Sequence, residues 1–150
     1  MQLLLWGSVA SASKSFFEFD NGVRINRSHI IKVQASRYAE DELVLHEPFE
    51  EEWFSALIFS AVKGSVFLDV GAAAGYYCLL ALRLRPQLAV VAVNPNEYFR
   101  GALLNNAALQ TPPARVVQAN AAELSQSSPV AGTILQIPVA VADEPGEVRG

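Results

Sequence analysis

An acidic loop bracketed by two glycines carries the clearest chemical signal in the sequence. Asp69 is followed by Gly71 and Gly75, with small residues between them. The carboxylate can attract a cationic group such as an ammonium or a sulfonium, and a glycine at position 71 permits a sharp turn that lets a ligand lie against bare backbone. Gly75 lets a following helix pack closely, and the N–H groups at the start of that helix can bond a polar ligand group. The predicted ligand-binding residues of this loop are Asp69, Gly71, Ala72 and Gly75.

The spacing of the glycines separates two classes of nucleotide ligand. A dinucleotide site carries the pattern G-x-G-x-x-G and places a pyrophosphate at the helix N-terminus. Here the pattern is G-x-x-x-G, and Ala73 occupies the position of the middle glycine. A carboxylate at position 69 suits a positively charged ligand better than a pyrophosphate. The loop therefore favours a positively charged ligand over a dinucleotide.

The elements around the loop alternate as in an α/β sheet. Val66–Leu68 is a continuous apolar run, which is typical of a strand buried on both faces. Tyr76–Leu84 has helical spacing and is stopped by a proline. Leu88–Val93 indicates a second buried strand, and Glu97–Leu109 indicates a helix. This order predicts an α/β fold with an incomplete doubly wound, Rossmann-like parallel sheet, in which a ligand binds at the carboxyl ends of the strands.

Two later runs compete for the third strand of the sheet. One is Arg115–Gln118, and the other is Thr133–Val141. The second run is longer and richer in β-branched residues, so we prefer it as the third strand.

A β-hairpin is predicted near the N-terminus. Apolar and polar residues alternate over residues 16–25, on both sides of Asn21-Gly22. This dipeptide favours the two positive φ angles of a type I′ turn. The stretch 28–45 mixes short apolar runs with charges and indicates no clear element. We treat residues 1–45 as an N-terminal hairpin and extension, and residues 46–150 as a partial ligand-binding domain.

A helix is predicted to begin at Pro48, because proline suits the first helical position. The acids Glu50–Glu52 occupy its first turn, where the helix dipole favours negative charge, and we expect them to be solvated. Gly64 is expected to end the helix. Its predicted buried face comprises Trp53, Phe54, Leu57, Ile58 and Ala61.

Composition and charge exclude several classes of function. The chain has 150 residues, of which 51% are hydrophobic and 17% are charged, and its net charge is −4. These values are typical of a globular protein, and the sequence has no lysine or arginine cluster that would neutralise the phosphates of a nucleic-acid partner. No apolar run reaches the roughly 20 residues of a membrane span.

Cys78 is the single cysteine, which excludes an intramolecular disulfide, and it is expected to be buried and inert. His29 and His46 have no partner at metal-ligand spacing, so no metal site is expected.

The first twelve residues allow two interpretations of where the protein acts. Leu3-Leu4-Leu5-Trp6 precedes Ala10-Ser11-Ala12, which has the small-x-small form of a signal-peptidase site. However, no positive residue follows Met1, and Gly7 and Ser8 interrupt the apolar stretch. We therefore expect a cytoplasmic protein, and an N-terminal signal or transit segment is the alternative.

Four segments, in order along the chain, resemble one enzyme family. Residues 66–77 resemble the first motif of the FkbM-type class I methyltransferases, whose loops commonly read D-[VI]-G-A-x-x-G-Y-Y. Residues 91–96 resemble the family's V-x-A-x-E-P-x-P segment, and residues 104–109 resemble its L-x-x-N-x-x-L-N segment. Residues 139–148 resemble its A-[VL]-[SA]-D-x-x-G-x-[VA] stretch. The similarity extends from about residue 46 to residue 148.

The resemblance implies a cofactor, S-adenosylmethionine, and transfer of its methyl group to a hydroxyl oxygen of a small molecule or glycan. It also implies that Asp69, Gly71 and Gly75 line the methionine and ribose side of the cofactor pocket. Asp143 is then expected near the adenine. The family's acid after the second strand, which holds the ribose hydroxyls, is replaced by Asn94. An amide lacks the charge-assisted bidentate grip of a carboxylate, so we expect weaker cofactor binding.

The family's sheet has seven strands, whereas the sequence predicts about three. We therefore expect the chain to lack the acceptor half of the enzyme and to be inactive by itself. No catalytic residue and no oligomeric state can be assigned from these segments.

Two other functions stay open at this point. Asn94 would suit the phosphorylated ribose of NADP in an oxidoreductase, although the G-x-G-x-x-G pattern is missing. A truncated α/β module that binds without catalysis is the second alternative. Single residues also have structural alternatives: Asp69 as a loop cap or lysine partner, Asn94 as the N-cap of the next helix with Pro95 at its first position, Asp143 as a turn residue, and Tyr76 and Tyr77 as packing aromatics.

Overall fold

The computed structural model describes residues 15–40, 44–119 and 128–138. Within these ranges the chain forms strands and helices that alternate over most of its length. In chain order they are β1 (Phe16–Glu18), β2 (Arg24–Asn26), α1 (Lys32–Glu40), α2 (Pro48–Ser60), β3 (Val66–Val70), α3 (Tyr76–Leu84), β4 (Ala89–Val93), α4 (Glu97–Leu109), β5 (Arg115–Gln118) and β6 (Thr133–Ile137). A short 3₁₀ turn at Arg27–His29 follows β2.

The central sheet is parallel and has the strand order β3-β4-β6-β5. Together with the antiparallel β1–β2 hairpin and the helices, it confirms the expected α/β fold with a partial Rossmann-like sheet. Both late runs are strands. β6 lies beside β4, as preferred, and β5 lies at the outer edge, while residues 139–141 of the predicted third strand lie outside the described residues.

The two first strands of the sheet differ in burial. All five residues of β4 are buried, as predicted. The prediction that Val66–Leu68 is buried on both faces is wrong, because Val66 and Leu68 are 49% and 56% exposed. β3 is an edge strand that pairs with β4 alone among the described strands, and its Phe67 packs on the Phe54 ring of α2. One face of β3 is therefore covered by helices and the other is open.

The hairpin forms with a different turn from the one predicted. Gly22 has a φ of 81°, but Asn21 does not have the positive φ that a type I′ turn requires. Instead, the N–H of Gly22 donates to the carbonyl of Phe19 at 2.7 Å, and the N–H of Phe19 donates to the carbonyl of Val23 at 2.9 Å. This arrangement is a three-residue loop with the glycine in the left-handed region. The side chain of Asn21 is then available for other contacts.

Helix α2 begins at Pro48 as predicted, but it buries only part of the predicted face, including Ile58. Trp53 and Leu57 are 79% and 64% exposed, so their predicted burial is wrong. The buried residues are Glu51 and Ile58, with Phe54 partly buried, because the helix contacts the body of the protein along this stripe. The helix ends at Ser60, and Gly64 lies in the turn that follows.

The stretch that gave no clear element contains the 3₁₀ turn and α1. The ring of Phe19 lies 5.1 Å from that of Tyr38 in α1 and 4.9 Å from that of Tyr76 in α3. Buried residues of the hairpin, such as Val23 and Ile25, belong to the same hydrophobic core as the helices beside the sheet. The N-terminal elements are therefore packed against the loop that follows β3.

No helix within the described residues is both long and apolar enough to cross a membrane.

Candidate functional site

The loop after β3 is built from backbone in the left-handed region. Gly71, Ala73 and Gly75 have φ angles of 83°, 43° and 87°. Glycine adopts this region without strain, whereas alanine does so at a cost. The N–H of Gly71 donates to the carbonyl of Val93 at 2.8 Å, so the loop is anchored to the end of β4. A Cβ added to Gly71 would meet nothing within 4 Å, which leaves the backbone open on that side.

Gly75 is required by close packing as well as by its φ angle. It is the N-cap of α3, and a Cβ at this position would lie 2.7 Å from Cγ of Leu103. Real side chains do not approach so closely. The glycine therefore allows the start of α3 to contact α4.

A cavity of about 340 Å³ lies between this loop and the N-terminal elements. The loop contributes Asp69 and residues 71–74, and α3 contributes Tyr76 and Tyr77. The opposite wall includes Phe19, Ile25, His29, Ile30, Tyr38 and His46. The structure thus brings the predicted residues Asp69, Gly71 and Ala72 together at one cavity, whereas Gly75 does not line it and lies against Leu103.

Asp69 lies at the cavity without a cationic partner among the described residues. Its Oδ2 accepts a hydrogen bond from Sγ of Cys78 at 3.1 Å. Burial raises the pKa of the Asp69 carboxyl, and the hydrogen bond from Cys78 opposes this shift. Within the part of the chain that the structure describes, the alternative of a lysine partner finds no support. Burial also raises the pKa of the Cys78 thiol, which fits the expected inert thiol.

Asn94 is buried and holds the loop instead of lining the cavity. Its Nδ2 donates to the carbonyl of Ala73 at 3.4 Å, and its Oδ1 accepts from the N–H of Asn96 at 3.1 Å. The N-cap of α4 is Asn96, whose side chain accepts from the N–H of Tyr98 at 2.9 Å, so the alternative that placed the cap at Asn94 is wrong. Asp143, the other residue expected near the nucleoside, lies outside the described residues.

Glu51 connects the N-terminal elements to α3 and was not recognised from sequence. It is 4% exposed, so its predicted solvation is wrong. Its Oε1 accepts from the hydroxyl of Tyr76 at 2.7 Å and from the backbone N–H of His46 at 2.6 Å, and its Oε2 accepts from Nδ2 of Asn21 at 2.8 Å. The N–H of Glu47 donates to the same Oε1 at 3.1 Å.

The two tyrosines at the start of α3 present their rings to the cavity and their hydroxyls to carboxylates. Tyr76 donates to Glu51, and Tyr77 donates to Oε2 of Glu47 at 2.7 Å. Burial and these carboxylates raise the pKa of both hydroxyls, which stay protonated. The hydroxyls are thus engaged within the protein, as the packing alternative predicts.

Two histidines line the cavity and have different hydrogen-bond partners. Nδ1 of His46 lies 2.5 Å from the hydroxyl of Tyr38, and its ring centroid lies 4.5 Å from that of Tyr76. Burial lowers the pKa of His46, against the opposing effect of nearby glutamates. Nδ1 of His29 lies 3.0 Å from Oδ1 of Asn106. The place of these histidines in the cavity wall is not predicted from sequence. The partner of His29 lies 77 residues away along the chain, and that of His46 lies 8 residues away.

No three His, Cys, Asp or Glu side chains of the described residues come together in a way that would hold a metal ion. Comparison with known proteins adds no assignment to this geometry: no protein-family model, curated protein or solved structure matches the chain.

Proposed function

We propose that the chain is the cofactor-binding part of an S-adenosylmethionine-dependent methyltransferase of the FkbM type, acting on a hydroxyl oxygen. One observation carries the proposal: a partly buried carboxylate, without a cationic partner among the described residues, lines a cavity beside a left-handed glycine loop. A buried carboxylate that is not paired is costly, and a cationic ligand offsets that cost.

The residues present fit the methionine half of the cofactor. Asp69 is the acid that would attract its positively charged groups, the ammonium and the sulfonium. The open backbone around Gly71 and the first N–H groups of α3 can accommodate its polar atoms. When bound, the sulfonium supplies a methyl group that an oxygen nucleophile can attack. The protein's part is to hold the two reactants in line.

The nucleoside half has weaker support. The side chain of Asn94 is engaged with Ala73 and Asn96, so it would have to give up these bonds in order to hold ribose hydroxyls. We therefore expect affinity to depend more on Asp69 than on Asn94. This expectation also separates the proposal from an NADP-dependent oxidoreductase, whose ligand carries no cationic group near the loop acid.

Isothermal calorimetry with S-adenosylmethionine, S-adenosylhomocysteine and NADPH tests the proposal. Asp69→Asn keeps the shape of the side chain and removes its charge, and we expect it to raise the Kd for S-adenosylmethionine about tenfold or more, equivalent to about 1.4 kcal/mol. Glu52→Gln removes one exposed charge from α2 and serves as the matched control, with an unchanged Kd. Preferential binding of NADPH by the wild type, or an unchanged Kd in Asp69→Asn, would overturn the proposal.

A further inference from the structure

The Asn106 side chain is fully buried and has a fixed orientation. Its Nδ2 donates to the carbonyl of Ala74 at 2.9 Å, and its Oδ1 accepts from the backbone N–H of Asn26 at 2.9 Å. If the oxygen and nitrogen of this amide were exchanged, the oxygen would face the carbonyl of Ala74 and the NH₂ group would face the N–H of Asn26, and neither pair could form a hydrogen bond. Its Oδ1 is therefore an acceptor, and the Nδ1 atom of His29, 3.0 Å away, must be the donor.

This contact determines the tautomer of His29. A neutral imidazole carries one N–H, and a proton on Nδ1 leaves the lone pair on Nε2. Among the described residues Nε2 of His29 has no hydrogen-bond partner, while the ring lines the cavity. His46 differs, because the hydroxyl of Tyr38 can either donate to its Nδ1 or accept from it. Only His29 is held as a proton acceptor by its surroundings.

Apolar side chains line much of the cavity that contains His29. They include Ile25, Ile30, Ile31 and Phe99, and Gln34 adds an uncharged polar side chain whose Oε1 accepts from the N–H of Ile31 at 3.4 Å. A buried hydroxyl needs a hydrogen-bond partner. A sugar carries several hydroxyls and would need several partners, whereas an aromatic or aliphatic alcohol with a single hydroxyl needs only one. These surroundings therefore suit a hydroxyl carried on an apolar body, with the lone pair of Nε2 as its partner.

We propose that His29 is a catalytic residue that takes the proton of an acceptor hydroxyl on an aromatic or other apolar molecule, and that Asn106 is its positioning residue. The inference rests on the proposed function for the methyl donor. The acceptor oxygen forms a bond to the methyl carbon of the sulfonium, the hydroxyl proton passes to Nε2, and the electron pair of the broken carbon–sulfur bond stays on sulfur. The imidazolium then gives its proton to water.

Nitrogen-15 NMR of the histidine side chains in the wild-type chain tests the tautomer directly. The chemical shifts of the two ring nitrogens show which one carries the proton. We expect His29 to carry it on Nδ1 in the neutral form. A neutral His29 protonated on Nε2 would overturn the proposal, whatever the outcome of cofactor binding.

Binding of 4-nitrophenol and of its methyl ether, 4-nitroanisole, tests the contact with an acceptor hydroxyl. We expect the wild type to bind the phenol about fivefold tighter than the ether, as for one hydrogen bond to an acceptor. His29→Phe should lose this preference while still binding the ether. His46→Phe, which changes the other histidine of the same cavity, should keep it.

The outcomes distinguish this inference from the proposed function. Loss of the phenol preference in His46→Phe but not in His29→Phe would overturn the assignment of His29, and so would the absence of any preference in the wild type. Failure of S-adenosylmethionine to bind in calorimetry, with the His29 results as expected, would instead remove the methyl donor and leave the proton acceptor in place.

Discussion

The two walls of the cavity are built in different ways. The loop wall, residues 69–75, uses small residues and left-handed backbone, and a single carboxylate is its charged group. The opposite wall uses aromatic and imidazole side chains from the N-terminal elements. Two buried polar residues, Glu51 and Asn106, join this wall to distant segments of the chain. Glu51 bonds to Asn21 and Tyr76, and Asn106 bonds to Asn26 and His29. Under the proposed function, the backbone and the single charge of the loop wall would receive the methyl donor, and the side chains of the opposite wall would select the acceptor.

The largest expected effect on stability comes from replacing Glu51, whose carboxylate bonds to the side-chain wall of the cavity. Glu51→Leu keeps the approximate volume but leaves the hydroxyl of Tyr76 and two backbone N–H groups without their acceptor, and the amide of Asn21 keeps only its bond to Tyr76. We expect a loss of about 3 kcal/mol in the free energy of unfolding, measured by urea titration. Glu52→Leu, at an exposed neighbouring position, should cost less than about 1 kcal/mol. Equal losses in the two variants would contradict the role given to Glu51.

A smaller effect is expected from the loop wall at Gly75. Gly75→Ala places a Cβ 2.7 Å from Leu103 and forces alanine into a φ of 87°, with an expected cost of about 2–3 kcal/mol. Gly64→Ala is a matched control, because Gly64 has the same φ of 87° but open space around its Cβ, and it should cost only about 1 kcal/mol. Urea unfolding of both variants separates steric overlap from backbone strain. A Gly64 variant as unstable as the Gly75 variant would show that overlap with Leu103 contributes nothing.

The smallest expected effect is a gain in stability when Asp69 loses its charge. Its pKa is raised in the folded protein, so the folded state favours the protonated carboxyl and loses stability as the pH rises through that pKa. Asp69→Asn should therefore raise the Tm of the ligand-free protein by about 3 °C at neutral pH. The gain should vanish below about pH 3.9, where the unfolded carboxyl is also protonated.

Thermal unfolding of the wild type, of Asp69→Asn and of the control Glu52→Gln across this pH range measures the expected difference in Tm. A lower Tm for Asp69→Asn at neutral pH would mean that the charged carboxylate stabilises the fold. A residue that weakens the fold when it is charged, and strengthens ligand binding, would exchange stability for function.

The features that sequence predicts well are local. Helix α3 has the predicted bounds, and β4 and α4 agree within one residue, because short-range apolar spacing and glycine punctuation determine them. Asp69, Gly71 and Ala72 meet at a cavity because a strand followed by a glycine turn places them at the carboxyl end of the sheet.

The features that sequence does not predict depend on distant partners. Three consecutive glutamates begin α2, and local spacing gives no reason for Glu51 alone to be buried. Its partners Asn21 and Tyr76 are 30 and 25 residues away. The exposure of Trp53 has the same origin, since the face that α2 buries is selected by the elements that pack on it. The pairing of His29 with Asn106 spans 77 residues and leaves no local signal.

The bond from Asn26 to Asn106 joins parts of the chain that are 80 residues apart. Closing so long a segment costs entropy that only the assembled protein recovers, so the pocket cannot form from the glycine loop alone. Opening of the hairpin would abolish the pocket even with the sheet intact. A bound ligand would consequently slow amide hydrogen exchange in the hairpin, although the proposed anchor of that ligand, Asp69, lies in β3.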